Sequence, residues 1–296
     1  MSVSPMPLHS NLRLSAIFLT LAAAVATHRY YNFWLTFVYG FGLSHYFLSY
    51  VYAKKQILQI MRRPSSEIAF AATILLGAFL YFSGFPLLIY FGFHHAFNEV
   101  YLLDRSVSAD ARERIRGLRT AGVFLNAFAY FFILRGRPEL RGIPQSFLLG
   151  GLLISSFSFA WILYRSRASL TKNEIIDNCF LEICYLPLVA ASFFFKPTLT
   201  HFVCYHLFFW AIYPIPKLAR AEGNDLKAYL LTTFLILIPI YLFSPYGIRR
   251  YPMSGSWFDH QFYFWSYLHI TTSFALSAAH PTWITRWFRF PAVQPG

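Results

Sequence analysis

Residues 84–103, GFPLLIYFGFHHAFNEVYLL, form an apolar and aromatic run of the length that a membrane-spanning helix needs. About 20 residues, each rising about 1.5 Å, cross a hydrocarbon core of about 30 Å. Two adjacent histidines, an Asn and a Glu interrupt the run, although polar side chains are costly in hydrocarbon. The run therefore predicts a spanning helix whose polar side chains face the interior of a helical bundle.

The composition of the whole chain indicates the same class of protein. Hydrophobic residues make up 57% of the 296 residues, charged residues make up 12%, and the mean hydropathy is +0.46. A soluble domain carries about 25% charged residues. We therefore predict an all-α fold, a polytopic transmembrane helical bundle formed by one integral-membrane domain over residues 1–296.

Ten apolar runs are long enough to span a membrane, and charged clusters or turn residues separate them. The first run is expected to be retained, because the segment before it lacks the basic region of a cleaved signal peptide. The predicted spans are about 12–28, 33–53, 67–82, 84–103, 119–134, 144–164, 175–195, 198–216, 227–244 and 260–280.

Basic residues give the chain a formal charge of +13. They lie in short loops beside the predicted spans, which is typical of anchoring against anionic lipid rather than of nucleic-acid binding. With the N-terminus in the cytoplasm, ten spans place 18 of the 25 Lys and Arg residues in cytoplasmic segments and 7 on the opposite side. This asymmetry predicts that both termini are cytoplasmic.

Four of the predicted spans carry a histidine near their midpoint, and all four spans run in the same direction across the membrane. Neutral imidazole is the commonest protein ligand for transition metals such as iron, zinc and copper. Several imidazoles at one depth on different helices favour a shared metal site. The residues concerned are His45, His94 or the adjacent His95, His206 and His269.

Acidic residues near these histidines are expected to orient the ligands rather than to bind the metal. Glu99 lies about one helical turn after His94 and His95, and Asn98 lies on the same face as His94. A metal-bound histidine normally donates its second N–H to a carboxylate or carbonyl. Glu99 is the first candidate for this role, followed by Glu182 and Asp177. The alternative for each is a buried acid that supports helix packing.

The remaining histidines and the cysteines are expected to have structural roles. His201 lies about 140° around the helix from His206, so the two cannot easily face one ion. His260 and His280 lie near span ends, where interfacial hydrogen bonding is the expected role. The three cysteines, at 179, 184 and 204, lie in apolar runs without CxxC spacing. We therefore expect packing rather than a disulfide framework or a zinc site.

Short motifs around the histidines resemble those of the bacterial Brp/Blh carotene-cleaving membrane dioxygenases. GLSH at 42–45 is similar to a Gly-Leu-Pro-His motif, and His94 keeps an acid, Glu99, five positions later. FVCYH at 202–206 is similar to an aromatic-rich segment that ends in histidine, and YLH at 267–269 matches a late histidine. The chain departs from the family pattern at Ser44, Ser49, Trp210 and Phe274.

The resemblance implies a non-haem Fe(II) oxygenase of the bacterial inner membrane. Such an enzyme uses O2 to cleave the central double bond of β-carotene, or of another apolar lipid or carotenoid, and releases two retinals from β-carotene. The implied metal ligands are His45, His94, His206 and His269. Glu99 would orient an imidazole, and His95 would be a hydrogen-bonding group on the substrate side or in the framework.

Three other functions remain open from the residues alone. A haem-binding electron-transfer protein would use two facing histidines as axial ligands. A non-enzymatic transporter or receptor would use them to relay protons or to bind a lipid. A membrane desaturase or hydroxylase is disfavoured, because the chain lacks the HxxxH and HxxHH boxes of those families. The sequence does not predict an oligomeric state.

Overall fold

The computed structural model describes residues 8–29, 31–106, 150, 153, 156–157, 160–161, 164, 167–173, 175, 199–220, 225–243 and 255–276. This part of the chain is helical and contains no strand, so the all-α prediction is confirmed for it. The helices with described bounds are α1 Leu8–Arg29, α2 Tyr31–Tyr52, α3 Lys54–Ile60, α4 Pro64–Phe82, α5 Leu87–Ser106, α6 Leu199–Ile212, α7 Ile215–Arg220, α8 Asp225–Phe243 and α9 Gly255–Leu276. A 3-10 turn covers Arg167–Ser169.

Seven of the predicted spans fall on described helices. The spans 12–28, 33–53, 67–82 and 227–244 coincide with α1, α2, α4 and α8 to within a few residues. The span at 84–103 begins later, at Leu87, because Gly84 and Pro86 form a turn. The span at 260–280 begins earlier, at Gly255. The spans at 119–134 and 175–195, and most of 144–164, lie outside the described residues.

Local sequence accounts for several helix ends. Pro64 begins α4, where its missing N–H is not needed, and Glu67 complements the positive end of the helix dipole. Gly84 follows α4 with a φ of 68°, a left-handed conformation that glycine adopts without steric cost. The span at 198–216 divides into α6 and α7, because Pro214 cannot continue the hydrogen-bond ladder.

The described helices fall into two compact units. The first unit contains Met1–Trp34 and Asn98–Leu226, and the second contains Leu35–Phe97 and Lys227–Gly296. In the first unit, α1 packs along α6. In the second unit, α4 packs along α9, and α2 and α5 also contact α9 through their side chains.

Close packing between α4 and α9 depends on small residues on α4. The buried residues of α4 are Ser66, Thr73 and Gly77, which recur at helical spacing. At Gly77 a Cβ atom would lie only 3.2 Å from the Leu268 Cα, so the two backbones approach as closely as a glycine permits. Small residues at such contacts are typical of helix pairs in membranes.

Two of the described helices, α4 and α8, are long and apolar enough to cross a membrane. They do not resemble the core helices of a soluble protein, because most of their apolar side chains are exposed. On α4, Leu75 is 69% exposed and Phe82 is 78% exposed, and Leu231 on α8 is 60% exposed. Contiguous exposed apolar surface of this kind is unusual for a soluble monomer.

Candidate functional site

Three histidines from three different helices meet in the second unit. His269 on α9 contacts His45 on α2, with ring centroids 4.9 Å apart, and His94 on α5, with centroids 5.5 Å apart. Both contacts are edge-to-face. His94 and His269 are 5% and 7% exposed, and His45 is partly buried. The structure therefore brings together three of the four predicted metal ligands.

Helix α2 holds the ring of His269 on two sides. The Tyr46 ring stacks on the imidazole, with centroids 4.7 Å apart and an interplanar angle of 27°. The Ser49 Oγ lies 3.3 Å from His269 Nδ1 and donates its own proton to the Tyr46 carbonyl oxygen at 2.6 Å. The imidazole is thus held by stacking on one face and by a polar contact at its Nδ1 atom.

These contacts belong to a longer series of polar pairs between α2 and α9. In three successive pairs the residue on α9 comes 220 positions after its partner on α2. The Tyr39 hydroxyl donates to Asp259 at 2.5 Å, and the hydroxyls of Tyr46 and Ser266 share a hydrogen bond of 2.8 Å. The third pair is the contact between Ser49 and His269. Beyond them, the hydroxyls of Tyr50 and Thr272 are 2.8 Å apart, and on the following helix α3 the Gln56 amide donates to the Ala275 carbonyl at 2.7 Å. Because both numbers rise together, α2 and α9 run parallel. We call this series the α2–α9 polar ladder.

The spacing of the imidazoles can be compared with that of rings bound to one ion. With metal–nitrogen distances of about 2.0–2.1 Å, neighbouring imidazoles on a tetrahedral or octahedral ion have centroids about 4.5–5.3 Å apart. The His45–His269 separation lies inside this range, and the His94–His269 separation lies just above it. The donor chemistry, neutral nitrogen ligands in an apolar bundle, suits iron, zinc or copper.

The three rings are not close enough together to coordinate one metal ion. Within the described residues, no set of three or more His, Cys, Asp or Glu side chains is placed so that it could hold a metal ion. His269 is the ring that contacts both of the others. A metal would fit the His45–His269 spacing, and the three side chains would have to move closer together to bind one ion.

Glu99 lies in the first unit, where it forms an ion pair with Arg13. The Arg13 Nη2 is 2.6 Å from the Glu99 Oε2, and the two side chains are 4% and 2% exposed. Arg13 also donates to the Tyr205 hydroxyl at 3.1 Å and lies over the Phe209 ring, 5.4 Å from its centroid. The structure thus gives Glu99 a cationic partner that the sequence did not suggest.

His206 and His95 are both buried. His206 is 2% exposed, belongs to the first unit and contacts the Trp210 ring, with centroids 6.3 Å apart and an interplanar angle of 54°. His95 is 1% exposed, belongs to the second unit and stacks on Phe91 with centroids 6.5 Å apart. The predicted roles of His206 as a ligand and of His95 as a hydrogen-bonding group stay predictions.

Other candidates are peripheral to these sites or lie outside the described residues. His260 is exposed and shares a hydrogen bond of 2.8 Å with the Tyr81 hydroxyl, as expected of a histidine near a helix end. Cys204 is a buried free thiol on α6, consistent with packing. Asp177, Glu182, His280, Cys179 and Cys184 lie outside the described residues, and so does the side chain of His201.

Three side chains with clear roles were missed from the sequence. Ser49 and Tyr46 follow His45 by four positions and one position, and only the partner helix shows that they contact His269 instead. The spacing of Tyr39, Tyr46 and Ser49, seven and then three residues, was the available signal, since it is typical of a helix-packing seam. Arg13 lies at the start of the first predicted span, where a basic residue is expected to anchor the helix at the membrane surface.

Comparisons with protein-family models, with curated proteins and with solved structures found no match to the chain.

Proposed function

We propose that the chain is an integral membrane protein of about ten spans, with both termini cytoplasmic, in which the second unit binds non-haem iron and oxidises an apolar lipid or carotenoid. The observation that carries the proposal is the contact of His269 with both His45 and His94. In the bilayer interior such a group of polar side chains is costly, and it is typically kept for function.

The membrane location is supported by the surface of the helices. On α4 and α8 the exposed side chains are mainly Leu, Ile and Phe, while the buried residues of α4 are small or hydroxyl-bearing, and one of them, Gly77, packs against α9. This inversion of polarity suits a helix with lipid on one side and protein on the other. The bacterial inner membrane is the location that the family resemblance suggests.

Residues of the second unit would supply the binding site. His45, His94 and His269 would hold the metal through ring nitrogens, and Ser49 and Tyr46 would keep His269 in place. Bound Fe(II) would supply activation of O2 for oxidative cleavage of a double bond, which for β-carotene gives two retinals. The aromatic rings around the histidines would exclude water and accept an apolar, conjugated substrate.

The spacing of the rings favours this function over haem binding. Two axial imidazoles lie on opposite faces of a haem, with their centroids about 6 Å or more apart at metal–nitrogen distances of about 2.0–2.1 Å. Both contacts of His269 are shorter than this and are edge-to-face. The His45–His269 spacing suits ligands at adjacent positions on one small ion, and the His94–His269 spacing is just above that range.

A proton or lipid transporter is the second candidate, and the α2–α9 polar ladder favours it. Asp259, the Tyr and Ser hydroxyls and His269 form a column of exchangeable protons along one helix seam. Such columns of polar groups inside a membrane are typical of proton pathways.

Metal analysis and an absorption spectrum of the purified protein test the proposal. We expect equimolar iron, no Soret band, and consumption of O2 when β-carotene is added in detergent. A Soret band would support the haem alternative. A protein without metal that dissipates a pH gradient across liposomes would overturn the oxygenase and support the transporter.

A further inference from the structure

The hydroxyl of Ser49 has one proton, and the structure shows where it goes. Ser49 lies three residues after Tyr46 on α2, and its Oγ donates to the Tyr46 carbonyl oxygen at 2.6 Å. Serine hydroxyls inside helices commonly bond back to the preceding turn in this way. Because that proton is already used, the Ser49 Oγ can only accept a hydrogen bond from another group.

The group next to the Ser49 Oγ is the Nδ1 of His269, at 3.3 Å. In a neutral imidazole one nitrogen carries a proton and the other carries a lone pair. If Nδ1 were the unprotonated nitrogen, two lone pairs would face each other across this distance. The arrangement is therefore favourable when Nδ1 carries the proton and donates it to Ser49.

We propose that Ser49 is a positioning residue that holds His269 in the Nδ1–H tautomer and so makes Nε2 the nitrogen available to a ligand. The tautomer is inferred from the two contacts of the Ser49 hydroxyl, whereas the use of Nε2 to bind a metal rests on the proposed function. A histidine that binds metal through one nitrogen normally donates its other N–H to a fixed acceptor. Ser49 supplies that acceptor here from a neighbouring helix.

The ring cannot readily turn over to exchange its two nitrogens. Tyr46 covers one face of the imidazole, and the Tyr46 hydroxyl is itself tied to Ser266 on α9 at 2.8 Å. His45 and His94 contact the same ring edge-to-face. Tyr46 thus fixes the plane of the ring, and Ser49 fixes which nitrogen bears the proton.

Nitrogen NMR of the metal-free protein tests the tautomer directly. We would label histidine with ¹⁵N and assign the His269 signals as those lost in His269→Gln. The wild-type protein should show a protonated Nδ1 and an unprotonated Nε2. In Ser49→Ala the signals should shift toward the other tautomer, and in Ser49→Thr they should stay as in the wild type, since threonine keeps the hydroxyl and its bond to the preceding turn.

Ser44→Ala is the matched control. Ser44 is 1% exposed on the same helix, and in the described part of the chain its Oγ has no hydrogen-bond partner, so removing it should leave the His269 signals unchanged. A wild-type His269 protonated on Nε2, or a Ser49→Ala spectrum equal to that of the wild type, would overturn the proposal.

Titration with Co²⁺, followed by its visible absorption, separates this proposal from the proposed function. Loss of an outer hydrogen-bond acceptor typically weakens metal binding about 10–100-fold. We expect a loss of this size in Ser49→Ala, and neither in Ser44→Ala nor in Ser49→Thr. If the wild type binds no Co²⁺, the metal site fails while the NMR result still decides the tautomer. If Ser49→Ala binds Co²⁺ as tightly as the wild type, Ser49 does not position a ligand.

Discussion

Arg13 and Glu99 form a buried ion pair in the first unit, with 2.6 Å between Nη2 and Oε2. Removing one member of such a pair leaves a charge without compensation and typically costs about 3–5 kcal/mol. We expect Glu99→Gln to lower the free energy of unfolding by an amount of this order. Thermal unfolding of the purified protein in detergent would measure it.

The double variant Arg13→Met with Glu99→Leu is the control for this pair. Replacing both charges with apolar residues of similar size is often neutral or stabilising, so the double variant should recover most of the lost stability. This experiment also separates two roles of Glu99. If Glu99 instead served only to orient a catalytic group, Glu99→Gln would unfold like the wild type and lose activity.

The contact between Gly77 and α9 predicts sensitivity to one added methyl group. In Gly77→Ala the new Cβ would meet the Thr271 side chain and lie 3.2 Å from the Leu268 Cα, which is backbone and cannot rotate away. Overpacking of this kind costs about 1–3 kcal/mol, so we expect a lower unfolding temperature. Gly150→Ala is the matched helical control, since a Cβ there would meet nothing within 4 Å. Equal stability of both variants would contradict the packing.

Metal content should depend on the histidines of the second unit and not on a surface histidine. His45→Ala, His94→Ala and His269→Ala should each lower bound iron at least several-fold, measured by elemental analysis of the folded protein. His260→Ala provides the control, because His260 lies on α9 as well but is exposed and bonded to Tyr81. Iron retained in all three site variants would exclude this cluster as the metal site.

The two parts of the Tyr46 side chain should have separable effects. Tyr46→Phe removes the hydrogen bond to Ser266 and keeps the ring that stacks on His269. Side-chain hydrogen bonds between membrane helices average about 0.6 kcal/mol, so we expect a small loss of stability and unchanged Co²⁺ affinity. Tyr46→Leu should lower the affinity as well, because the stacked face is lost. A similar Co²⁺ affinity for both variants would show that stacking does not hold His269.

Cysteine labelling can test the lipid-facing surface of α4. Leu75 and Arg62 are both exposed in the fold, but lipid should cover only Leu75. After replacement of the three native cysteines by alanine, we expect a water-soluble maleimide to label Arg62→Cys in intact membranes and to label Leu75→Cys only after denaturation. Equal labelling of the two positions in membranes would place α4 in water.

The positions of the helices could be predicted closely because apolar runs and turn residues act locally. The break at 83–86 was predicted for that reason, and seven of the predicted spans fall on described helices. The break at Pro214 and the short helix α3 were not predicted. The mid-span histidines could also be identified as candidate site residues, because a polar residue in an apolar run is conspicuous even when its partner is unknown. Three of them, on α2, α5 and α9, do meet.

The partners of these residues could not be predicted, because each contact joins positions far apart in the chain. Glu99 has His94 and His95 as its sequence neighbours, but its ion pair is with Arg13, 86 positions earlier. Ser49 looks like a departure from a family motif, and its role appears only when α9 is placed beside α2. Periodicity predicts which face of a helix is buried and not which helix covers it.

The α2–α9 polar ladder, whose first three pairs share an offset of 220 positions, has a consequence for membrane topology. If α2 and α9 both span the membrane, these two parallel helices enter the bilayer from the same side. The chain leaves α2 on one side and begins α9 on the other, so it must cross the membrane an odd number of times between Tyr52 and Gly255. The seven spans predicted for this interval satisfy that parity, and six or eight would not. A reporter fused before α2 and another fused before α9 should therefore lie on the same side of the membrane.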